Sequence, residues 1–276
     1  MKNAWTVLLC VAAGVALQTA TAQDVEPGFK SLFNGKDLTG WAGRTNHWSV
    51  EDGCITGSTT PENPAKGNNF LFARDGDKNL IVDDFEIRFS YSFSTPWGNS
   101  GLQYRSKDLE NFVSGGYQAD FEVGTTYSGI LYEERGRGIL CQRGQKVTIK
   151  EALFVTESKK VTDPKNGKEK EVKTKREVAK DSPEAANAKL DTKIEVTGTL
   201  GDTREIQTHI HTNGWNDYVI IAKGNHLQQW INGVQTIDVT DEQESKAAKS
   251  GVLAFQIHAG PPMKVQFKNV RIKSLK

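Results

Sequence analysis

The sequence predicts an all-β protein of the sandwich or jelly-roll type, from the alternation of its side chains and the turns between alternating segments. Phe85–Phe93 places aromatic or aliphatic side chains at every second position, with polar side chains between them. This is the period of a strand with one buried face. Asn232-Gly233 separates two further segments of this kind and indicates a two-residue hairpin. Many short strands between such turns are typical of sandwiches and jelly rolls.

Other segments with strand-like patterns extend over most of the chain. The candidate strands are Leu102–Arg105, Tyr117–Val123, Lys146–Phe154, Lys193–Thr199, Glu205–His211, Tyr218–Lys223, His226–Ile231, Val234–Val239 and Val265–Lys273. Helix signals are weak and allow one or two turns at Ser182–Lys189 and Asp241–Ser250. No linker, internal repeat or second composition regime interrupts the pattern, so we expect a single β-sandwich domain over residues 23–276.

Residues 157–184 differ from the rest of the chain in their charge. They include nine Lys or Arg and seven Asp or Glu, with few apolar residues and with Asn166-Gly167 between alternating Val and charged residues. Such a segment buries too little apolar surface to form a core. We expect a protruding, solvated hairpin inserted in the domain.

Residues 1–22 have the three parts of a secretory signal peptide. Lys2 supplies the basic start, Trp5–Leu17 is apolar, and Ala20-Thr21-Ala22 offers a cleavage site. The apolar run is shorter than the roughly 20 residues that cross a membrane. We therefore expect an exported protein, periplasmic or extracellular, without a membrane span. Removing Lys2 from the 35 basic residues leaves 34 against 34 acidic ones, a balance that disfavours a nucleic-acid partner.

Polar side chains of several predicted strands share the face opposite the apolar one. If these strands are neighbours in one curved sheet, they line its concave side with Gln103, Arg105, Gln118, Asp120, Glu122, Gln256 and His258. Amide, guanidinium and carboxylate groups can hydrogen-bond the hydroxyl groups of a sugar. Trp97 and Trp215 are candidate platforms for sugar rings. The predicted ligand is a carbohydrate.

Gly251–Phe267 is the most informative single segment. It alternates between apolar side chains and a face that carries Gln256 and His258, and it then stops at Gly260-Pro261-Pro262. Imidazole has an unperturbed pKa of about 6.5, so His258 is the titrating group best suited to neutral pH.

Two other patterns allow different chemistry. Asp120 and Glu122 project from one strand face, and their backbones are roughly 6.5–7 Å apart. This spacing is compatible with an ordinary two-carboxylate glycoside hydrolase. His209 and His211 form an H-x-H pair that would bind a divalent metal if a third ligand approached it.

Seven motifs, in order, give the chain a resemblance to a known family. They are LFNGKDLTGW (Leu32–Trp41), HWSVEDGCITG (His47–Gly57), NSGLQYRS (Asn99–Ser106), GGYQADF (Gly115–Phe121), SGILYEERGRG (Ser128–Gly138), NDYVIIAKGNHLQQWINGV (Asn216–Val234) and FQIHAGPPMKVQFKNVRIK (Phe255–Lys273). Together they resemble the 3-keto-disaccharide hydrolase family, also described as 3-keto-glucoside lyase/hydratase domains. The resemblance covers nearly the whole chain after residue 22, apart from the charged hairpin. It implies a concanavalin A-like jelly-roll β-sandwich in an exported bacterial protein.

The resemblance also implies cleavage of 3-keto-glycosides by elimination and then hydration, a net hydrolysis. The keto group acidifies the hydrogen on carbon 2, a base removes it, the aglycone leaves carbon 1, and water adds there. Donors or a divalent metal ion would hold the enolate. The residues carried over are His258 or Asp120 as base or metal ligand, Tyr132 and Glu134 as proton donors, and Arg105, Gln118 and Gln256 as orienting groups.

The chain departs from the family pattern at Gln118, where many members have Glu. If that carboxylate binds metal or acts as the base in those members, this protein uses another residue or has a different substrate. A non-catalytic, lectin-like carbohydrate-binding module and the two-carboxylate glycoside hydrolase remain alternatives.

Overall fold

A computed structural model describes residues 25–165 and 167–276. The signal peptide expected at residues 1–22 and Asn166 of the charged hairpin lie outside the described residues.

Strands account for most of the described chain. In chain order they are β1 (Lys30–Ser31), β2 (Trp41–Ala42), β3 (Trp48–Glu51), β4 (Cys54–Ser58), β5 (Asn69–Asp75), β6 (Lys78–Asn79), β7 (Ile81–Val82), β8 (Phe85–Phe93), β9 (Asn99–Asp108), β10 (Ser114–Glu122), β11 (Leu131–Glu134), β12 (Gly138–Cys141), β13 (Gln145–Thr162), β14 (Glu169–Val178), β15 (Lys189–Thr199), β16 (Asn216–Lys223), β17 (His226–Ile231), β18 (Val234–Asp241), β19 (Gly251–Ile257) and β20 (Lys264–Ser274).

The strands form two sheets. Sheet A has the order β14-β13-β18-β17-β16-β8-β20-β4-β3, with β1 paired to β20 and β15 to β13. Sheet B has the order β12-β11-β10-β9-β19-β5-β2, with β6 paired to β5 and β7 to β19. Neighbours such as β9 and β19, far apart in the chain, therefore bring distant sequence motifs side by side.

The core lies between the two sheets and is rich in aromatic side chains. Phe89 of β8 contacts Phe255 of β19 across the sandwich, with ring centroids 5.4 Å apart. Phe255 also stacks on Phe267 of β20, at 3.9 Å. Burying such a side chain stabilises a fold by about 1.5–3 kcal/mol. The predicted all-β jelly-roll sandwich is confirmed, as is the strand at Phe85–Phe93.

The predicted hairpin at Asn232-Gly233 is also confirmed. Ile231 and Val234 are direct partners across the turn between β17 and β18. Asn232 has φ +49° and Gly233 has φ +80°, which are the left-handed values that this type of tight turn requires.

The strand predicted over Glu205–His211 is wrong. Residues Thr203–Thr208 form helix α1, and the Asp202 side chain accepts hydrogen bonds from the backbone N–H groups of Arg204 and Glu205. This cap satisfies donors that the first helical turn leaves open. His209 is the C-cap of α1, so it does not share a strand face with His211. None of the helices in the described part of the chain has the length and apolar character needed to cross a membrane.

The charged segment 157–184 is built on a long antiparallel ladder. β13 and β14 pair from Leu153 with Val178 to Thr162 with Glu169. Exposed ion pairs join the two strands and the short 3-10 turn Pro183–Asn187 that follows, as when Arg176 contacts Glu157 and Glu184. We call the part of this ladder within residues 157–184 the arm.

Candidate functional site

The outer face of sheet B carries three glutamine side chains on neighbouring strands. Gln103 of β9 and Gln118 of β10 are direct partners, and Gln256 lies on β19 beside β9. All three are buried, although their sequence neighbours, such as Leu102 and Phe255, fill the core on the other face. We call Gln103, Gln118 and Gln256 the amide cluster.

Hydrogen bonds fix the orientation of Gln118 at the centre of this cluster. Its Oε1 accepts from Gln103 Nε2 at 2.6 Å and from Gln256 Nε2 at 3.1 Å. Its Nε2 donates to Asp120 Oδ1 at 2.5 Å. Because the oxygen of Gln118 accepts from two amides, its NH₂ group faces Asp120. Gln256 Oε1 is buried and has no hydrogen-bond partner among the described residues.

Gly101 makes room for this arrangement. It is the partner of Asp120 on β9. A Cβ atom on Gly101 would lie 2.6 Å from Gln118 Cγ, closer than side chains approach one another. A glycine inside a strand often marks such a close approach.

Asp120 is the group whose protonation the site changes most. Burial raises the pKa of Asp120 to about 8, nearby Glu134 and Glu122 add to the rise, and the hydrogen bond from Gln118 opposes it. Charge is costly in such a place because little water remains to solvate it. At pH 7 the protonated form therefore predominates by about ten to one. Once deprotonated, Asp120 is a much stronger base than an ordinary carboxylate.

β11 brings two more predicted residues to the same face. Tyr132 is the direct partner of Gln118, and Glu134 is the partner of Gly116. Burial raises the pKa of Tyr132, and the charges of Glu134 and Asp120 raise it further. The three side chains are thus electrostatically coupled. The structure brings Asp120, Tyr132 and Glu134 together with the amide cluster.

Asn68 links this group to His258. Its Nδ2 donates to Glu134 Oε1 at 3.5 Å, and its Oδ1 accepts from the backbone N–H of Ala259 at 2.9 Å. His258 Nδ1 lies 2.6 Å from the carbonyl oxygen of Ala259, so in the neutral ring Nδ1 carries the hydrogen and Nε2 is the acceptor. The Trp97 ring meets the imidazole edge-on, with centroids 6.2 Å apart.

Arg105 does not line the site, and its predicted position is wrong. Its guanidinium donates to the carbonyl oxygens of Asp83 and Gly224, each at 2.6 Å, and to Asp84 Oδ1 at 2.8 Å. Arg105 has φ +48°, which breaks the alternation of β9 and turns the side chain away from Gln103. Burial lowers the pKa of Arg105, and Asp84 opposes that effect. Its hydrogen bonds hold the loop between β7 and β8 and the loop between β16 and β17 against the end of β9.

The carboxylate of Glu122 binds backbone N–H groups of a turn and does not face the site as a free acceptor for a sugar. Its Oε1 accepts from the backbone N–H groups of Thr126 and Tyr127 at 2.7 and 2.8 Å. A carboxylate held in this way closes the turn that follows β10. The expectation that Glu122 contacts substrate directly therefore finds no support in its contacts.

Trp215 lies on the other side of the molecule. It precedes β16, and its ring lies under Lys268 of β20, with Nζ 3.8 Å from the ring centroid. Both strands belong to sheet A. The prediction that Trp215 shares a site with Gln103 is wrong, because Trp215 adjoins a strand of sheet A whereas Gln103 lies on sheet B.

An apolar patch on the outer face of sheet B borders the amide cluster. Phe70, Phe72, Val252 and Ala254 form it, and Phe112 packs against them. Phe112 follows Glu110 and Asn111 in a turn where all three residues have φ between +51° and +67°. Such backbone is strained for residues with side chains and clusters near functional sites.

Sequence reasoning missed Asn68, Gly101, Ser114 and Phe112. Ser114 Oγ donates to Gln103 Oε1 at 3.5 Å. Only Gly101 left a signal, as a glycine inside an alternating strand. In residues 25–165 and 167–276, no three side chains of His, Cys, Asp or Glu lie close enough together to hold a metal ion.

Several solved structures resemble this fold. A provisionally assigned glycosyl hydrolase of Parabacteroides distasonis is 14% identical, with 90% of this chain and 99% of that chain covered at a TM-score of 0.50. Another protein from that organism, with the same provisional assignment, is 20% identical over 90% and 94% at 0.47. The carbohydrate-binding module CBM66 of Bacillus subtilis is 14% identical over 90% and 96% at 0.40. At 14% identity, the similarity to the first of these structures shows a shared fold and nothing about function.

The comparison with curated proteins found no match. The family comparison is specific, because residues 28–273 match the 3-keto-alpha-glucoside-1,2-lyase-like domain from one end of the sandwich to the other. The chain therefore belongs to the family of 3-keto-alpha-glucoside-1,2-lyase-like domains and acts on carbohydrate as an enzyme.

Proposed function

We propose that this protein cleaves 3-keto-glycosides by elimination followed by hydration, and that it does so after export from the cytoplasm. The observation that carries the proposal is Asp120, a buried carboxyl group with a pKa of about 8 beside Tyr132 and Glu134. A base whose pKa lies near the working pH suits the removal of a hydrogen next to a ketone. The family supplies the substrate class, and Asp120 supplies a base that suits it.

The reaction has two steps. Asp120 removes the proton from carbon 2, the electron pair forms the carbon 1–carbon 2 double bond through an enolate, and the aglycone oxygen leaves carbon 1 with a proton. Water then adds across that double bond, with its oxygen going to carbon 1 and a proton returning to carbon 2. The products are the free aglycone and a 3-keto sugar.

The remaining side chains have distinct roles in this proposal. Tyr132, whose raised pKa keeps it protonated, donates the proton to the leaving oxygen. Gln256 donates to Gln118 and helps to fix its orientation. His258 accepts from a sugar hydroxyl through Nε2, since its Nδ1 is occupied by Ala259. Gln118 holds Asp120 in place.

The test uses a p-nitrophenyl 3-keto-glucoside and the corresponding unoxidised glucoside. We expect release of p-nitrophenol from the keto substrate only. In deuterium oxide, the first-formed 3-keto sugar should carry deuterium on carbon 2, because elimination breaks that carbon–hydrogen bond.

Each alternative gives a different result. A two-carboxylate glycoside hydrolase would cleave the unoxidised substrate and retain the hydrogen on carbon 2. A carbohydrate-binding module would bind sugar without turnover. Cleavage of the keto substrate without deuterium incorporation would refute the elimination step.

A further inference from the structure

A wide groove on the outer face of sheet A lies on the opposite side of the sandwich from the amide cluster. It encloses a cavity of about 1570 Å³, larger than the roughly 300–1,000 Å³ of sites for drug-sized ligands. Its floor is a row of direct cross-strand partners, Asp217 of β16, Ser90 of β8 and Lys268 of β20. The segment that contains β1 forms one wall. We call this cavity the sheet A groove.

The sheet A groove is positively charged although the chain as a whole is nearly neutral. Its lining includes six basic and three acidic side chains, whereas the formal net charge of the chain is +1. One of the three acidic residues, Glu26, already pairs with Arg88 and Arg271. Lys268, in contrast, has no carboxylate oxygen of the described residues within 4.0 Å; its ammonium lies over the Trp215 ring. A cation placed in this way remains available to an acidic ligand.

Polar and aromatic groups beside Lys268 suit a sugar. Ser90 Oγ donates to Asp217 Oδ1 at 2.6 Å, and Asn269 Nδ2 donates to Ser90 Oγ at 3.2 Å. Asn269 has φ +56° and lies where the register of β20 shifts. Bulges of this kind re-aim side chains and are common beside binding sites. The Trp215 indole offers an apolar surface for the edge of a sugar ring.

We propose that the sheet A groove is a second carbohydrate site, separate from the catalytic one, for a saccharide that carries an acidic group. The carboxylate or sulfate of the ligand pairs with Lys268, and its ring packs beside Trp215. The volume admits several sugar units, so the site holds a longer glycan while sheet B acts on a keto sugar.

Calorimetric titration with three ligands tests the proposal: an oligogalacturonate, a sulfated oligosaccharide and a neutral cello-oligosaccharide. We expect at least one acidic ligand to bind about tenfold more tightly than the neutral one, and to weaken as salt is added. Which acidic ligand binds identifies the acidic group. Equal binding of neutral and acidic ligands, or no binding of either acidic ligand, would overturn the proposal.

Variants locate the site independently of turnover. Lys268→Gln and Trp215→Ala should each weaken the acidic ligand about tenfold, whereas Trp215→Phe should weaken it less. The matched control is Lys159→Gln, which makes the same charge change on the exposed arm. Asp120→Asn should bind the acidic ligand normally, which separates this site from the proposed catalytic chemistry. Unchanged binding by folded Lys268→Gln and Trp215→Ala proteins, checked by melting temperature, would refute the assignment.

Discussion

Gln118 lies across Gly101, so that the amide of one strand occupies the space that a side chain on the next strand would fill. The arrangement allows Gln118 to reach Asp120 while it accepts from Gln103 and Gln256. The pKa and the position of Asp120 therefore depend on Gly101, although Gly101 has no side chain.

Gly101→Ala should lower kcat on a 3-keto-glucoside by about 100-fold, because displacing a reacting group by about 1 Å has that effect. The Cβ atom would force Gln118 to move, since the contact would be 2.6 Å. Steady-state kinetics on the folded variant measure the change. Gly198→Ala is the matched control, as Gly198 also lies in a strand but its Cβ atom would stay 3.5 Å from the nearest atom. Equal activity of the two variants would contradict this account of Gly101.

Asp120→Asn should reduce turnover by about 100- to 10,000-fold, the usual contribution of a general acid or base. Asn keeps the oxygen that accepts from Gln118, so the fold should be retained. Glu122→Gln is the control, because its amide oxygen still accepts from Thr126 and Tyr127. We expect Glu122→Gln to keep most of the activity. A larger loss in Glu122→Gln than in Asp120→Asn would favour the two-carboxylate alternative.

The rate should rise with pH until Asp120 is deprotonated. With a pKa of about 8, kcat/KM should increase about tenfold per pH unit below pH 8 and then level off. The raised pKa of Tyr132 keeps that group protonated over the same range. A pH profile of kcat/KM checks this, and a profile that is flat between about pH 6 and 9 would exclude Asp120 as the base.

Asp120 should also make the stability of the folded protein depend on pH, but stability should fall as pH rises whereas the rate should increase. The pKa of Asp120 is about 8 in the folded protein and about 3.9 in the unfolded chain. Between these values the folded state holds the proton and the unfolded state does not, so the contribution of Asp120 to stability falls as pH rises from about 4 to 8. Urea unfolding at several pH values should show this slope, and Asp120→Asn should remove it. An identical slope in the two proteins would contradict the raised pKa.

Arg137 should be a major determinant of stability. Its guanidinium lies 2.7 Å from both Glu133 and Asp241, and its side chain is only 4% exposed. Arg137→Ala removes the cation that pairs with the buried Asp241 and the partly buried Glu133, and it should cost about 3–5 kcal/mol in the free energy of unfolding. Arg176→Ala is the control, because Arg176 also contacts two carboxylates but is 47% exposed; its loss should cost less than about 1 kcal/mol. Urea unfolding compares them, and equal losses would show that burial does not decide the effect.

Sequence patterns predicted which side chains share a face wherever the strands are regular. Leu102 and Tyr104 face the core and Gln103 faces outward, as alternation requires. The prediction failed at Arg105, because a left-handed residue inverts the alternation and nothing in the local sequence requires one there.

The pairing of strands that are distant in the chain was the second feature that sequence patterns could not predict. Gln103 and Gln118 come together because β9 and β10 are neighbours, and Gln256 joins them through β19. Trp215 lies just before β16, which belongs to the other sheet, and the local sequence does not show to which sheet a strand belongs. The contact between Asn68 and Ala259 joins loops nearly two hundred residues apart, so no local pattern could predict it.

The arm has a mechanical consequence. β13 is a single strand of 18 residues, about 60 Å from end to end at the usual rise of a strand. Its first residues pair with β18 in parallel and with β15 in antiparallel, so its base is clamped on both edges while its tip projects away. A load applied at the tip would be transmitted along an unbroken backbone to that clamp, where the hydrogen bonds would resist it together in shear.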